Sequence, residues 1–199
     1  MPRRYRMTNR LAAAKDTQRR IVEAAKALQA GGGVQGTSFE EIAEQAGVAQ
    51  ATVYRHFPSL DELIPACAAT IQVLKPLTEQ DFALLFHGRP RAWERLEWII
   101  RATCECYARD GGWLQAARRE ADLIPALSQV VGLQQESLRS LVRAALLGSE
   151  VGERTVQLLA ALIDFPLWRT LREMGLDPTE ATNQVVELVR DQMKKENLI

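Results

Sequence analysis

Residues 37–63, TSFEEIAEQAGVAQATVYRHFPSLDEL, decide the reading of this chain. Thr37 and Ser38 each stand three residues ahead of a glutamate, Glu40 and Glu41. At that spacing a hydroxyl caps the start of a helix while the carboxylate reaches back to the cap's own amide. Phe39, Ile42, Ala43 and Ala46 then recur as one apolar face, and Gly47 follows where a left-handed residue ends a helix at least cost, with Val48 folding back onto the preceding turn. A second short helix, about Gln50 to Phe57, turns Val53 and Phe57 inward and leaves Gln50, Thr52, Tyr54, Arg55 and His56 for other surfaces; Pro58 stops it. Ser59 and Glu62 repeat the capping spacing ahead of a further helix that carries Leu60, Leu63, Ile64 and Ile71. Two short helices about a glycine turn are the layout of a helix-turn-helix, whose second helix enters the major groove of DNA.

Outward from this stretch the pattern stays helical and strand signals are nearly absent. Ile21, Ala24, Ala25 and Leu28 make one stripe on a helix that Gly31, Gly32 and Gly33 end. Near Pro90 a helix starts with Trp93, Leu96, Ile100, Thr103 and Tyr107 at three- and four-residue spacing, widened by Trp98, Ile99 and Cys106, so it belongs in the middle of a core. Gly111-Gly112 is expected to end it, with a short helix from Trp113 to about Glu120 and a longer one from Pro125 to Leu147 that stops at Gly148. Residues 153–174 carry two stripes, Val156, Leu159, Ile163, Leu167 and Leu171 on one side and Leu158, Leu162, Phe165 and Trp168 on the other, so one can face the core and one a partner. Pro166 is expected to kink or loosen that helix. Asp177-Pro178-Thr179-Glu180 caps the last helix. The expectation is an all-α chain of about nine helices, with a basic arm and helix-turn-helix domain over 1–58 and a C-terminal helical domain over 59–199.

Charge supports the same division. The 25 basic and 25 acidic residues cancel over 199 positions, yet residues 1–20 hold seven basic residues, Arg3, Arg4, Arg6, Arg10, Lys15, Arg19 and Arg20, against Asp16 alone. A basic N-terminal part suits phosphate contact, or else a solvated tail. No apolar run approaches the roughly 18–20 residues that span a bilayer, and MPRRYRMTNRLAAAK has no apolar core of a secretory signal, so a cytoplasmic protein without a membrane partner is expected. Cys67, Cys104 and Cys106, with His56 and His87, form no metal-ligand spacing and no disulfide framework, so no metal and no cofactor are expected. No P-loop, GxGxxG, GxSxG or HExxH is present, which argues against an enzyme.

Residues 37–63 resemble the DNA-binding region of the tetracycline-repressor (TetR) family of bacterial transcriptional regulators: Gly47-Val48, Thr52-Val53-Tyr54, His56-Phe57 and Glu62-Leu63 stand where that family has the same or similar residues, with Ile42-Ala43 ahead of them. The resemblance implies a homodimeric repressor that is released from a palindromic double-stranded DNA operator by a small-molecule effector bound in the C-terminal domain. It also implies dimerisation through the last two helices, about 153–174 and 178–194. An effector-independent DNA-binding regulator, or a protein-interaction module, is the alternative. Ala49 stands where the family often has serine and Leu60 where it often has lysine, which removes a side-chain cap and a phosphate contact; the arginines of the arm can substitute for the latter.

Among the candidates for DNA contact, Gln50 suits a bidentate bond to adenine. Thr52, Tyr54 and His56 suit phosphate oxygens, which fix register. Tyr54 reads equally as a packing residue, Arg55 as a base contact, a phosphate contact or a solvated cation, and Thr37 and Ser38 as caps or as phosphate donors at a helix N-terminus. For effector binding the candidates are Trp98, Thr103, Tyr107, Trp113, Asp164, Phe165 and Trp168, aromatic walls with a few polar groups, each of which also reads as core. Asp164, set in LLAALIDFPLW, would meet a cationic ligand, cap a loosened turn or pair across a dimer interface.

Overall fold

The computed structural model describes residues 3–71 and 78–199, with side chains from Ala12 onward apart from Glu79. Among them there is no strand. The helices are α1 (Arg3–Gly32), α2 (Phe39–Ala46), α3 (Gln50–His56), α4 (Leu60–Ala68), α5 (Glu79–Leu85), α6 (Ala92–Arg119), α7 (Pro125–Ala145), α8 (Glu153–Ile163), α9 (Phe165–Glu173) and α10 (Pro178–Lys195). The all-α expectation holds. None of the described helices is long and apolar enough to cross a membrane. The chain divides into two compact units, Met1–Thr70 with Gly112–Val130, and Ile71–Gly111 with Val131–Ile199.

In the first unit α1 packs on α2 and α4, and α2 on α3. Ile21, Ala25, Ile42, Val53, Leu63 and Ile64 have no solvent exposure and form its core. Each such aliphatic side chain contributes about 1.5–3 kcal/mol on leaving water, which holds in place a seven-residue α3 too short to stand alone. The expected arm is not a separate element. Helix α1 runs from Arg3, so Arg3, Arg4, Arg6 and Arg10 lie on its first turns; Leu11, Ala12, Ala13, Ala14 and Lys15 are strong helix formers and carry the helix outward.

Two expected capping boxes are absent. Thr37 does not close on Glu40; its hydroxyl donates to the Gly33 carbonyl at 2.7 Å and the residue is buried. Ser59 sits at the start of α4 without a side-chain bond, and only its carbonyl takes part, accepting the Glu62 and Leu63 amides at 3.3 and 3.2 Å.

Gly111-Gly112 does not end a helix: α6 is continuous from Ala92 to Arg119. A glycine inside a helix costs about 1 kcal/mol relative to alanine. Here the two glycines permit close approach instead. A Cβ on Gly111 would lie 3.4 Å from Cε2 of Phe165, and one on Gly112 only 2.8 Å from Cβ of Ala30.

In the second unit the 153–174 segment breaks in two at Asp164, whose extended backbone (φ −68°, ψ 154°) separates α8 from α9. The expected second stripe therefore splits. Leu158 stays 41% exposed while Phe165 and Trp168 turn into the core, because one extended residue resets the helical phase. Helix α10 packs on both α8 and α9, and its cap forms as the sequence predicts: Asp177 accepts the Thr179 and Glu180 amides and Glu180 accepts the Asp177 amide. Helix α5, over a segment to which the sequence reading assigns no element, opens on Thr78 with Asp81 completing a capping box.

Candidate nucleic-acid interface and effector region

Helix α2 starts on a closed capping box. Ser38 Oγ accepts the Glu41 amide at 3.2 Å, and Glu41 Oε2 accepts the Ser38 amide and hydroxyl at 2.8 Å each. Those two donors, the backbone amide first, hold the Glu41 carboxyl below its ordinary value. Gly47 ends α2 in the left-handed region (φ 63°, ψ 44°), its amide bonding Glu44, while Val48 returns its amide to Ala43. This is the turn that the sequence predicts.

Arg20 braces the turn from α1. Its guanidinium donates to the carbonyls of Ala46 and, at 3.0 Å, of Gly47, a cation set at the negative end of α2. Sequence reasoning missed this residue, since nothing local links positions 26 and 27 apart.

Helix α3 begins at Ala49 without a side-chain cap, as its sequence implies, and the Ala49 carbonyl takes the Thr52 amide at 2.8 Å. Val53 is fully buried and Phe57 nearly so. That anchors one side and leaves Gln50 and Arg55 exposed, Tyr54 49% exposed, and Thr52 and His56 half-buried. The Tyr54 ring packs on Phe39 at 4.9 Å between centroids, so it holds α3 to α2 as well as facing solvent. Ser38 is exposed beside this face; Thr37, spent inward on Gly33, is not. The surface that results carries an amide, hydroxyls, a guanidinium and an imidazole on a rigid short helix. Those are the groups that read base edges and bind phosphates.

The effector candidates do not form one group. Tyr107, Phe165 and Trp168 come together, with Tyr107 edge-on to Phe165 at 5.3 Å and 5.9 Å from Trp168. Gln134, which sequence reasoning passed over because it is one of several glutamines on a polar-looking stretch, is 1% exposed and joins them; its amide donates to Tyr107 Oη at 3.3 Å and to Asp164 Oδ1 at 3.1 Å. Asp164 also accepts the Phe165 amide at 2.7 Å, so the capping role among its readings is realised. The indole nitrogen of Trp168 has no hydrogen-bond partner among the described residues. Thr103 is buried in the same unit. Trp98 is half-buried under the Arg89 guanidinium, 5.1 Å from the ring centroid, beside an open cavity of about 370 Å³ lined by Glu94, Glu97 and Arg101. Trp113 belongs to the other unit, where it donates to Gln29 Oε1 at 2.8 Å. A second cavity, about 180 Å³, lies between α7 and α8 with Asp164, Arg139, Gln135 and Gln157 on its walls.

The three cysteines are buried, free thiols, and burial pushes Cys67 and Cys104 up to about 12. No group of three or more His, Cys, Asp or Glu side chains among the described residues is arranged to hold a metal ion.

Comparison with known proteins bears on both regions. The family described as bacterial regulatory proteins, tetR family, matches residues 21–67. Among solved structures, a transcriptional regulator from Rhodococcus sp. Rha1 superposes with a TM-score of 0.67 at 19% identity, over 89% of this chain and 96% of that one. A proposed TetR-family regulator from Mesorhizobium loti gives 0.64 at 22% identity, over 91% and 96%. The multidrug binding protein EbrR, complexed with imidazole, gives 0.58 at 20% identity, over 88% and 93%. No curated protein matches in sequence. At these identities the solved structures share the fold of the chain. The matched residues run from Ile21 in α1 to Cys67 in α4 and so contain the whole helix-turn-helix: over this segment the chain is similar to the DNA-binding region of the tetR family of bacterial regulatory proteins.

Proposed function

We propose that this chain is a homodimeric transcriptional repressor that grips a palindromic operator with α3 of each subunit and lets go when a small molecule binds its C-terminal region. One observation carries the reading: α3 is pinned by Val53 and Phe57 while Gln50, Thr52, Tyr54, Arg55 and His56 occupy its remaining surface. In this reading residues 1–58 contact DNA, with Gln50 specifying bases and Ser38, Thr52, Tyr54 and His56 holding phosphates. Residues 59–199 bind the effector and dimerise. Two half-sites about 34–36 Å apart demand that both recognition helices keep that spacing, so a shift of a few ångströms loses one contact set.

For the effector, Tyr107, Phe165 and Trp168 offer aromatic walls, and Gln134 with Asp164 the polar groups. A buried N–H without an acceptor costs about 1–3 kcal/mol, so the Trp168 indole favours a ligand that presents an acceptor. The dimer reading rests on α8 and α10, where Leu158 and Leu188 remain 41% and 37% exposed.

Fluorescence anisotropy on the palindromic DNA flanking the chain's own gene tests the proposal. Wild type is expected to bind in a salt-sensitive, sequence-dependent way. Gln50→Ala is expected to lose about 1–3 kcal/mol of discrimination at one position with an unchanged salt slope. Absence of sequence dependence in the pure protein defeats the reading.

A further inference from the structure

Glu120 is a buried acidic residue that the DNA-binding proposal leaves unused. It follows the last residue of α6, where the negative end of a helix disfavours a carboxylate, and it is 7% exposed, where an unpartnered charge is costly. What holds it there is the loop between α1 and α2. Glu120 Oε2 accepts the backbone amide of Gln35 at 2.7 Å, and Oε1 accepts from Arg119 at 3.1 Å. Gly33 makes room: a Cβ there would lie 2.2 Å from Oε1, and its φ of +84° suits glycine in any case. Both residues of the clamp belong to the same compact unit as the helix-turn-helix. The loop it grips, Gly33 to Thr37, leads directly into the Ser38 cap of α2. Within the same loop Thr37 bonds back to Gly33, so the carboxylate on Gln35 fixes a closed knot rather than a free strand.

We propose that Glu120 is a positioning residue for DNA recognition: by holding the Gln35 amide it fixes where α2 starts and thereby how α3 is presented to the groove. This rests on the DNA-binding reading above. Glu120 itself touches no base or phosphate in this proposal.

The test compares Glu120→Ala, which removes the acceptor, with Glu120→Gln, which keeps one for the Gln35 amide, on operator and scrambled duplexes alongside circular dichroism and amide exchange. Glu120→Ala is expected to weaken operator binding about tenfold, the scale of losing a charge-assisted hydrogen bond, with scrambled-DNA affinity and helicity unchanged. Gln35 exchange is expected to speed up, and Glu120→Gln to recover most of the affinity. If Glu120→Ala does not fold, Glu120→Asp, one methylene short of the amide, takes its place with the same expectation. Operator affinity and Gln35 exchange both at wild-type level in the variant overturn the proposal, as does faster exchange with full affinity. If wild type shows no sequence-dependent binding, the DNA reading falls on its own, and Gln35 exchange still decides whether Glu120 fixes the loop.

Discussion

Adjacent glycines in α6 should respond to alanine with opposite signs. Both substitutions remove a glycine from a helix interior and so gain about 1 kcal/mol of propensity. They differ in what the new methyl meets. At Gly111 it lies 3.4 Å from Cε2 of Phe165 and 3.8 Å from Cζ3 of Trp168, the edge of ordinary contact, so most of the gain survives and Tm rises by about 2–4 °C. At Gly112 it lies 2.8 Å from Cβ of Ala30, whereas carbon atoms settle at about 3.5–4.0 Å. Ala30 Cβ has no rotamer through which to retreat, so α1 and α6 must part by roughly 0.7 Å there. Overpacking of this kind costs about 1–3 kcal/mol, which outweighs the propensity gain and leaves a net loss of about 1 kcal/mol. Thermal unfolding followed by circular dichroism reads both signs. A double-mutant cycle then isolates the cause: Ala30→Gly should rescue Gly112→Ala with a coupling above about 1 kcal/mol, and should be additive with Gly111→Ala. Equal rises in Tm for the two variants, or no coupling between positions 30 and 112, refutes the close-approach reasoning.

Ser38→Ala should cost about 1 kcal/mol at neutral pH. Because the Glu41 carboxyl is lowered by its bonds to Ser38, its contribution is fully present above the unfolded-chain value of about 4.3 and fades as pH falls through the lower folded value; Ser38→Ala removes only the hydroxyl's share of it, so the difference between wild type and variant should be constant from pH 5 to 7 and narrow in acid to the part due to the Glu41 amide on Ser38 Oγ. Cys67 and Cys104, raised to about 12 by burial, should resist alkylation at pH 8 in the folded chain and react on unfolding; fast native labelling of either contradicts the packing. Leu158→Glu with Leu188→Glu should leave helicity intact and give a monomer by light scattering if α8 and α10 form the dimer, while a dimer that survives moves the interface elsewhere.

What the sequence made legible is what neighbouring residues decide between themselves. Ser38 with Glu41, Asp177 with Glu180, and Gly47 between two apolar runs each carry a signal within four positions, and each formed. Where two neighbours competed for one role the sequence was ambiguous: Thr37 and Ser38 show the same spacing, and only tertiary contact with Gly33 sent the first inward. Gly111-Gly112 carries the signature of a helix end, yet a glycine pair serves equally where another helix comes close, and the partners Phe165 and Ala30 lie too far along the chain to be read. Arg20 on Ala46 and Gly47, Gln134 on Tyr107 and Asp164, and Glu120 on Gln35 span between 26 and 85 positions, so no local pattern announces them. The exposed face of α3 was legible because its inside and outside alternate locally; the cluster of Tyr107, Gln134, Asp164, Phe165 and Trp168 was not, because its members meet only after folding.

Asp164-Phe165-Pro166 links those two kinds of information. A continuous helix through residue 164 would set Leu158, Leu162 and Phe165 on one side at i, i+4 and i+7, and Phe165 would share the exposure of Leu158. Three neighbouring residues prevent it. Asp164 takes an extended conformation and caps the next helix through the Phe165 amide, and Pro166, lacking an amide, sits in the first turn, where none is needed. The break turns Phe165 and Trp168 inward onto Tyr107 and leaves Asp164 Oδ1, which accepts from Gln134 as well as from the Phe165 amide, beside the same rings. A locally encoded interruption therefore determines which aromatic groups line the interior of the second unit. It also leaves Leu158 on the surface of that unit.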